Sequence, residues 1–459
     1  MLLFVPDDRR PVHFVGIAGA GMSALALIAK SRGVSVTGCD TNPNVAAEVA
    51  DLGVPVTVGH GPEHVNGARA VVYTSAVPSQ HPELEAARKA DIPVLKRAAA
   101  LQAAIAGGRS VAIAGTHGKT TTTVMAATAL TAAGLDPTAI AGGRVAEWGG
   151  NARIGGLDLY VVEADEYDSS FLELRPEIAV VNNVEADHLE CYGSLENLEA
   201  AFAEFAGRAQ RVLVGSDDGG ASRVAQAVDR PTWRVGLAPE ADLRLTDIVR
   251  EPARSAARLE LPGGSAVALE LRSPGLHNLR NAAMALGTVL ALGGDVEAAT
   301  RGLDGYTGVT RRFQILGTAA GVTVVDDYAH HATELAATLA AARQRFPGRR
   351  VVAVFQPHLY SRTQAQGQAL GIVLSTADLV VVTDVYPARE KPIRGVTGEM
   401  VAKAARTAGA PVEWVERVTD LPAALNGIVR DGDVVLTLGA GDITKTGPEL
   451  LSVLGGAAA

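Results

Sequence analysis

The strongest chemical signal in this sequence is a run of small and polar residues, Gly115-Thr116-His117-Gly118-Lys119-Thr120-Thr121. The apolar stretch 110–113 before it predicts a buried strand, and the pattern from Val124 onward predicts a helix. Backbone N–H groups in such a turn, together with the helix dipole, bind phosphate oxygens. Lys119 would meet the terminal phosphates of a nucleoside triphosphate, and the Thr120 hydroxyl would bind Mg²⁺. We place Lys119 in a solvent-facing loop, so its removal should leave the fold intact.

The spacing of this run departs from the G-x-x-x-x-G-K-[ST] pattern, because Ile113 stands where the first glycine belongs. The alternative interpretation is an ordinary glycine turn with a chance Lys-Thr pair. Four consecutive threonines at the start of the helix favour phosphate binding over that alternative. The sequence therefore predicts a nucleoside triphosphate site.

Two further apolar stretches lead into clusters of acidic and polar residues. The first is followed by Glu163-Ala164-Asp165-Glu166, and the second, 178–181, by Asn183, Glu185, Asp187 and His188. Carboxylates just past a strand of a triphosphate-binding domain suit Mg²⁺, and Glu163 is the best candidate. His188 would hold a metal ion or orient a substrate carboxylate. A solvated acidic loop and a structural histidine are the alternatives.

A second glycine-rich turn, Gly16-Ile17-Ala18-Gly19-Ala20-Gly21, lies between the first predicted strand and a helix predicted over 22–30. Such a turn places backbone N–H groups against a diphosphate. Asp40 follows the second predicted strand, 34–38, where dinucleotide-binding folds contact a ribose. Thr74 and Ser75 come at the end of the third, 70–74, and face the same crevice. A nicotinamide dinucleotide, a uridine diphosphate and a purely structural turn all remain open.

Polar clusters also follow three predicted strands in the last third of the chain. They are Asp326-Asp327-Tyr328-Ala329-His330-His331, Gln356-Pro357-His358-Leu359-Tyr360-Ser361-Arg362 and Gly439-Ala440-Gly441-Asp442. Acids, imidazoles and an arginine at one edge of a sheet would bind an anion and an amine, although each cluster alone is compatible with an ordinary polar loop. Earlier in the chain, Asn278 and Asn281 share one face at the start of a predicted helix. Asn278 is either a helix cap or, with Asn281, a contact to an adenine edge.

Strand and helix patterns alternate along nearly the whole chain, which predicts α/β domains with parallel sheets. We place three domains at residues 1–98, 99–309 and 310–459. Within the second, 242–249, 256–261 and 266–271 alternate like antiparallel strands, with a turn at Pro262-Gly263-Gly264. The central sheet is therefore expected to be mixed.

Composition excludes several classes of protein. A net charge of −9 over 459 residues argues against a nucleic-acid partner. No apolar run reaches membrane-spanning length, so we expect no membrane insertion, and the first ten residues lack the order of a secretory signal. Two cysteines, Cys39 and Cys191, give no disulfide framework and no metal-binding spacing. A cytoplasmic enzyme is expected.

The motifs together resemble those of the Mur ligase family, over a span from Gly16 to Asp442. Gly115–Thr122 with Glu163–Glu166 is similar to the family's ATPase signature, and Asp326–His331 with Phe355–His358 is similar to its alanine-adding branch. The resemblance implies a Rossmann-like domain for a UDP-sugar, a central P-loop ATPase with a mixed sheet, and a C-terminal Rossmann-like domain for an amino acid.

The resemblance further implies a reaction in peptidoglycan precursor synthesis. ATP would phosphorylate the lactyl carboxylate of UDP-N-acetylmuramate, and the amine of L-alanine would displace phosphate from the acyl phosphate. By this resemblance the loop 115–121 binds ATP, with Lys119 on the γ-phosphate and Arg312 near the phosphates. Thr120 and Glu163 would bind one Mg²⁺, and His188 would bind a second. Asn278 and Asn281 would contact adenine. The implied substrate residues are Gly16, Gly19, Gly21, Met22, Ser23, Asp40, Thr74 and Ser75 for the UDP-sugar, and His330 with Arg362 for L-alanine.

Three rival functions remain at this point. An oxidoreductase would use the first glycine turn but not Lys119, and a regulatory P-loop ATPase would not need the histidines of the last domain. A recycling ligase that adds a preformed peptide to the same sugar nucleotide is the closest rival. We also expect a monomer–dimer equilibrium.

Overall fold

The computed structural model describes residues 6–456, apart from the side chains of residues 45 and 46. Three β-sheets with flanking helices form the molecule. No helix within the described residues is long and apolar enough to cross a bilayer. The three-domain α/β fold with a mixed central sheet is confirmed.

The N-terminal domain is built on a parallel five-stranded sheet. Its strands are β1 (Val12–Val15), β2 (Val36–Asp40), β3 (Val56–Val58), β4 (Ala70–Tyr73) and β5 (Val94–Lys96), and its helices are α1 (Ala20–Ser31), α2 (Pro43–Asp51), α3 (Pro82–Lys89) and α4 (Arg97–Ile105). The strand order β3-β2-β1-β4-β5 reverses direction between β1 and β4. Ligands of doubly wound sheets bind beyond the carboxyl ends of the strands at that point. The glycine turn after β1 and the segment after β4 both lie there.

The central domain carries a ten-stranded sheet in which only part of the pairing is parallel. The strands are β6 (Arg109–Ala114), β7 (Thr138–Val145), β8 (Gly150–Arg153), β9 (Leu159–Glu163), β10 (Ile178–Val181), β11 (Arg211–Gly215), β12 (Thr232–Gly236), β13 (Leu243–Arg250), β14 (Ser255–Glu260) and β15 (Ala266–Leu271). The helices are α5 (Lys119–Ala132), α6 (Leu189–Tyr192), α7 (Leu195–Gly207), α8 (Gly219–Ala227), α9 (Leu276–Ala291) and α10 (Val296–Leu303).

In this sheet the order is β15-β14-β13-β12-β11-β10-β6-β9-β7-β8. The inner pairs are parallel, and β8 runs antiparallel to β7. Both edges of β6 are hydrogen-bonded, to β10 and β9, and its residues Val111–Ala114 are fully buried, as in a central parallel strand that helices cover on both faces. The turn predicted at Pro262-Gly263-Gly264 is present, closed by a hydrogen bond from Leu261 N to Ser265 O.

The C-terminal domain has a six-stranded sheet with one antiparallel edge. Its strands are β16 (Gln314–Ala319), β17 (Val322–Asp327), β18 (Val351–Phe355), β19 (Leu379–Val382), β20 (Val412–Trp414) and β21 (Val434–Leu438), and its helices are α11 (Ala332–Arg345), α12 (Tyr360–Leu374), α13 (Glu399–Thr407), α14 (Leu421–Asn426) and α15 (Thr446–Gly456). The order is β16-β17-β21-β18-β19-β20, and β16 pairs antiparallel with β17. The last strand, β21, thus lies between β17 and β18. This insertion brings the three polar clusters of the domain to one edge.

The chain divides into two compact units. The first contains the chain up to Asp247 with Ala257–Glu270 and Arg280–Tyr306, and the second contains Ile248–Ala256, Leu271–Leu279 and the chain from Thr307. The N-terminal sheet and most of the central sheet belong to the first unit. The boundaries at residues 98 and 309 stay predictions.

Candidate active site

The predicted phosphate loop connects β6 to α5 and is held open by two glycines with left-handed backbone. Gly115 has φ +136° and Gly118 has φ +78°. A Cβ on Gly115 would lie 3.0 Å from Asn182 Cβ, and one on Gly118 would lie 2.7 Å from Asn281 Oδ1. Glycine is therefore required at both positions for steric as well as conformational reasons.

Residues that follow β10 hold the other face of the loop in place. Asn183 Oδ1 accepts a 2.7 Å hydrogen bond from His117 N, and Glu185 N donates to Thr116 Oγ1 at 2.9 Å. The His117 ring nitrogen Nε2 lies 3.2 Å from Glu185 Oε2. These contacts order the loop before any ligand binds, which lowers the entropy lost when a phosphate binds.

Lys119 is the first residue of α5, and its ammonium group is buried in an ion pair. Its Nζ donates to Glu166 Oε2 at 2.7 Å and to Gly115 O at 2.7 Å. The two side chains of the pair are only 15% and 2% exposed. Burial alone would lower the pKa of Lys119, but the carboxylates of Glu166, Asp165 and Glu163 raise it above its ordinary value. The expectation of a solvent-facing lysine is therefore wrong.

The predicted Mg²⁺ ligands lie near the same loop. Glu163 ends β9, and its Oε2 accepts a 2.6 Å hydrogen bond from Gly142 N. Thr120 follows Lys119 in α5 and is 5% exposed. A hydroxyl and a carboxylate are oxygen donors of the kind that Mg²⁺ takes from a protein when phosphates and water complete its shell. The residues present therefore fit the ion.

The side chain of His188 contacts acidic residues other than Glu163. Its Nδ1 is 3.3 Å from Glu190 Oε1 and its Nε2 is 3.5 Å from Asp187 Oδ2. Within residues 6–456, neither Glu163 nor His188 belongs to a group of three or more His, Cys, Asp and Glu side chains whose ligand atoms are close enough to bind one ion. The second-metal role of His188 remains a prediction.

The glycine turn of the N-terminal domain is shaped by Asp40. Gly16 has φ +77°, and Asp40 Oδ2 accepts a hydrogen bond from Ala18 N at 2.9 Å. The second carboxylate oxygen of Asp40 accepts from Asn42 N, also at 2.9 Å. Asp40 thus braces the turn, in addition to its predicted contact with a ribose.

Several of the residues predicted to bind the sugar nucleotide lie at the start of α1, the helix that follows the turn. Gly19 is the N-cap of α1, and Met22, which is 1% exposed as a whole residue, packs its side chain into the hydrophobic core. Ser23 Oγ donates to Ala20 O at 3.1 Å. A Cβ on Gly21 would lie 2.9 Å from Arg97 Nη1, which places a guanidinium group at the start of α1.

The segment after β4 contacts the central domain. Thr74 Cγ2 would lie 3.2 Å from a Cβ on Gly16, so Thr74 adjoins the glycine turn. Ser75 Oγ donates a 2.8 Å hydrogen bond to Asp168 Oδ2, which also accepts from Lys96 Nζ at 3.0 Å. Asp168 has φ +54°, and these two donors lower its carboxyl pKa.

The two predicted adenine contacts both lie in α9. Asn281 is buried, with its Oδ1 directed at Gly118 of the phosphate loop. Asn278 lies two residues inside the helix, not at its cap, and its Nδ2 donates to Pro274 O at 2.8 Å. The helix-cap alternative for Asn278 is therefore wrong.

In the second unit, an imidazole and guanidinium cluster forms at the carboxyl edge of the sheet. The rings of His330 and His358 are 5.8 Å apart, and His358 Nδ1 lies 3.3 Å from Arg362 Nη1. Arg362, in the first turn of α12, is 8% exposed. Glu334 Oε2 accepts from His330 N at 2.9 Å, and burial lowers the pKa of the His330 ring. A buried guanidinium group beside these imidazole rings is suited to a small carboxylate with an adjacent amine.

Arg311 and Arg312 both place their guanidinium groups close to the aromatic ring of Tyr328. The guanidinium carbons of Arg311 and Arg312 lie 4.9 and 5.1 Å from the ring centroid. Arg311 Nη2 donates to Gly439 O, which ties the segment before β16 to the turn after β21. Arg312 Nη1 is 4.0 Å from Glu334 Oε1.

Asp327 is a buried carboxyl with a perturbed titration. Its oxygens accept hydrogen bonds from Phe313 N at 2.7 Å and Ala329 N at 2.8 Å. Burial nevertheless raises its pKa to about 6, against the opposing charge of Arg312. The folded protein therefore binds more protons at this residue than the unfolded chain does.

This titration gives a testable pH dependence. The stabilising contribution of Asp327 is present below its unfolded pKa of 3.8 and is lost as the pH rises to about 6. Between those values we expect the free energy of unfolding of the protein to fall, relative to Asp327→Asn, by up to about 3 kcal/mol. Urea denaturation of both proteins at several pH values measures the difference. A difference that is independent of pH would contradict the assignment.

Sequence reasoning missed several participants. The sequence did not indicate that Glu166 pairs with Lys119, or that Asp168 with Lys96 links the segment after β4 to the central domain. The sequence assigns no role to His358 beyond membership of a polar cluster, yet His358 contacts Arg362. The acidic run 163–166 was the available signal for Glu166, but no sequence signal indicated Asp168.

A P-loop beside clustered carboxylates, a doubly wound sheet before it and a third α/β domain after it define an ATP-binding enzyme of the ligase class. Family models match along the chain: "Mur ligase family, catalytic domain" at residues 11–109, "Mur ligase middle domain" at 113–289 and "Mur ligase, glutamate ligase domain" at 311–441. The chain belongs to the Mur ligase family.

Individual relatives cover nearly all of the chain. A UDP-N-acetylmuramate–L-alanine ligase of Cutibacterium acnes (strain DSM 16379 / KPA171202) is 45% identical over 99% of this chain and 98% of its own length. One from Laribacter hongkongensis (strain HLHK9) is 44% identical over 98% and 99%. The crystal structure of the UDP-N-acetylmuramate-alanine ligase of Thermotoga maritima has a TM-score of 0.82 at 30% identity, covering 97% of this chain and 99% of that one.

Proposed function

We propose that this chain joins L-alanine to the lactyl carboxylate of UDP-N-acetylmuramate, with ATP converted to ADP and phosphate. The observation that carries the proposal is the phosphate loop, with Lys119 at its helix start and buried against Glu166. Full-length identity of 44–45% to proteins named for this reaction supports the choice of substrates.

The first step is transfer of the γ-phosphoryl group of ATP to the substrate carboxylate. A free carboxylate is a poor electrophile, and the transfer makes it an acyl phosphate. Lys119 would neutralise charge on the transferred group, while the backbone N–H groups of 115–118 hold the neighbouring phosphates. Bound Mg²⁺, held by Thr120 and Glu163, would neutralise further phosphate charge. Asn281 is placed beside Gly118, where it would meet adenine or orient the loop.

The sugar nucleotide would bind at the glycine turn of the N-terminal domain. The N–H groups at the start of α1 are suited to its diphosphate. Thr74 and Ser75 would contact the same ligand, since both follow β4 at the reversal of strand order. Asp168 holds Ser75, so this contact would depend on the central domain as well.

The second step is attack of the L-alanine amine on the acyl phosphate. Arg362 would pair with the L-alanine carboxylate, and His330 would lie beside the amine. The C–N bond forms as the C–O bond to phosphate breaks, and the ammonium proton passes to a base or to water. Orientation of the two reactants supplies most of the rate enhancement in such a step.

The experiment is phosphate release in the presence of ATP, Mg²⁺ and UDP-N-acetylmuramate with a panel of amino acids. L-alanine should give the highest kcat/KM, with glycine and L-serine as the informative near neighbours. A preformed tripeptide as acceptor tests the recycling ligase. Release with the tripeptide and none with L-alanine would replace the proposal with that enzyme.

Two further properties belong to the proposal. The enzyme would act in the cytoplasm, where ATP and sugar nucleotides are available. A monomer–dimer equilibrium is expected, and sedimentation over a range of protein concentrations measures it.

A further inference from the structure

The N-terminal domain contains a second constellation of ligating side chains that the proposed reaction does not use. It comprises His13 on β1, Cys39 on β2, His64 after β3 and Glu83 in α3. One ligand atom from each of the four lies within 4.8 Å of the other three. We call these residues the His–Cys–His–Glu cluster.

Burial of the cluster is nearly complete. His13 is 2% exposed, and Cys39 and Glu83 are 0% exposed. The side chain of His64 is 15% exposed and forms the side open to solvent. Buried polar groups need hydrogen-bond or metal partners, because removing an unpaired polar group from water destabilises the folded protein.

One of these buried groups lacks a hydrogen bond. His13 Nε2 is buried and makes no hydrogen bond, and Glu83 Oε2 lies 3.5 Å from it, within ion-pair distance. The other ring nitrogen, His13 Nδ1, is 3.0 Å from Thr37 Oγ1. Histidines that bind metal ions usually have their second nitrogen hydrogen-bonded in this way, which fixes the ring orientation. The Nε2 atom of His13 therefore faces Glu83 in the cluster, and the orientation of its ring is already set.

The separations of the ligand atoms lie on both sides of those in a tetrahedral ion site, since two contacts to the Glu83 carboxylate are shorter and the whole set extends up to 4.8 Å. Cys39 Sγ is 3.0 Å from Glu83 Oε2, and His64 Nδ1 is 3.0 Å from Glu83 Oε1. Bonds of about 2.0–2.3 Å to a tetrahedral Zn²⁺ place neighbouring ligand atoms about 3.3–3.8 Å apart. Side-chain movements of about 1 Å or less would lengthen the short contacts and shorten the wider ones to that range.

We propose that the His–Cys–His–Glu cluster binds one divalent transition-metal ion, Zn²⁺ in preference to others. Thiolate and imidazole ligands disfavour Mg²⁺, which takes oxygen ligands in octahedral geometry. Cys39 binds as the thiolate and releases its proton to solvent. His60, whose Nδ1 lies 3.2 Å from Cys39 Sγ, stands next to the four ligands.

Four protein ligands leave no open position, so the bound ion is structural. It joins β1, β2, the segment after β3 and α3. The backbone oxygen of Cys39 accepts hydrogen bonds from Gly16 N and Ile17 N. An ion at Cys39 therefore also braces the glycine turn, one residue before Asp40.

The test uses Co²⁺ as a spectroscopic probe on full-length protein treated with a chelator and dialysed into excess Mg²⁺. The chain has two cysteines, and Cys191 is exposed and outside the cluster, which makes Cys191→Ser the matched control. In that variant, one equivalent of Co²⁺ should produce the near-ultraviolet thiolate-to-cobalt band and the visible bands of a tetrahedral site. Added Zn²⁺ should remove the spectrum.

The Cys39→Ser variant should lose the thiolate band and bind Zn²⁺ at least about 100-fold more weakly, a larger effect than loss of an outer-shell partner. Because Cys39 is the sole thiol of Cys191→Ser, the band is assigned there even if Cys39→Ser does not fold. Absence of the band from Cys191→Ser would overturn the proposal and leave Glu83 as the centre of a metal-free hydrogen-bond network. A band that Cys39→Ser retains would overturn it as well.

Discussion

Replacement of Lys119 by alanine is expected to reduce phosphate release by at least about 10³-fold and to destabilise the protein as well. The loss of activity follows from the position of the ammonium group at the end of the phosphate loop. The loss of stability follows from Glu166, which is 2% exposed and would be left without its partner. Breaking a buried ion pair in this way costs about 3–5 kcal/mol. Steady-state kinetics and urea denaturation measure the two effects separately.

A double variant separates catalysis from stability. Lys119→Ala with Glu166→Gln removes the stranded charge, so it should recover most of the lost stability and none of the activity. Residual turnover within 10-fold of the unmodified enzyme in either variant would contradict the role of Lys119. Unchanged stability of the single variant would contradict the buried ion pair.

Replacement of Arg362 by lysine is expected to raise the KM for L-alanine about 100-fold, with the KM for ATP unchanged. Lysine keeps the charge but loses the planar pair of donors that matches a carboxylate. Arg362 is buried at the start of α12 beside His358, so a lysine in its place cannot be compensated by water. Kinetics with each substrate varied in turn measure the split.

Arg343→Lys provides the matched control for this substitution. Arg343 belongs to the same unit and pairs with Asp378 at 2.6 Å, but its side chain is 42% exposed. Loss of an exposed pair changes stability by less than about 1 kcal/mol and should leave all kinetic constants unchanged. Equal effects of the two substitutions would show that Arg362 does not contact L-alanine.

Local sequence signals predicted the elements that carry the site. The apolar run before Gly115 becomes β6 because a central parallel strand is covered on both faces. The glycines of both turns predicted phosphate sites, because a side chain at these positions would keep a phosphate away from the backbone N–H groups. The three-residue strands β3 and β5 were not predicted, since three residues carry too little periodicity to distinguish a strand from a loop.

Contacts between residues that are far apart in the chain could not be predicted from the sequence. Lys119 and Glu166 are 47 residues apart, and which acid of the run 163–166 contacts Lys119 depends on the direction in which the chain leaves β9. The His–Cys–His–Glu cluster depends on β2 lying beside β1 and on α3 reaching both, although its residues show no ligand spacing in the sequence. Such pairings are set by the order of strands, which alternation alone does not determine.

The most direct measurement of the central claim follows an oxygen atom. UDP-N-acetylmuramate labelled with ¹⁸O in its lactyl carboxylate is incubated with ATP, Mg²⁺ and L-alanine, and the released phosphate is examined by mass spectrometry. Transfer through an acyl phosphate moves one carboxylate oxygen to phosphate for each amide bond formed, so singly labelled phosphate is the expected product. Unlabelled phosphate formed together with the amide would contradict activation of the carboxylate by phosphoryl transfer.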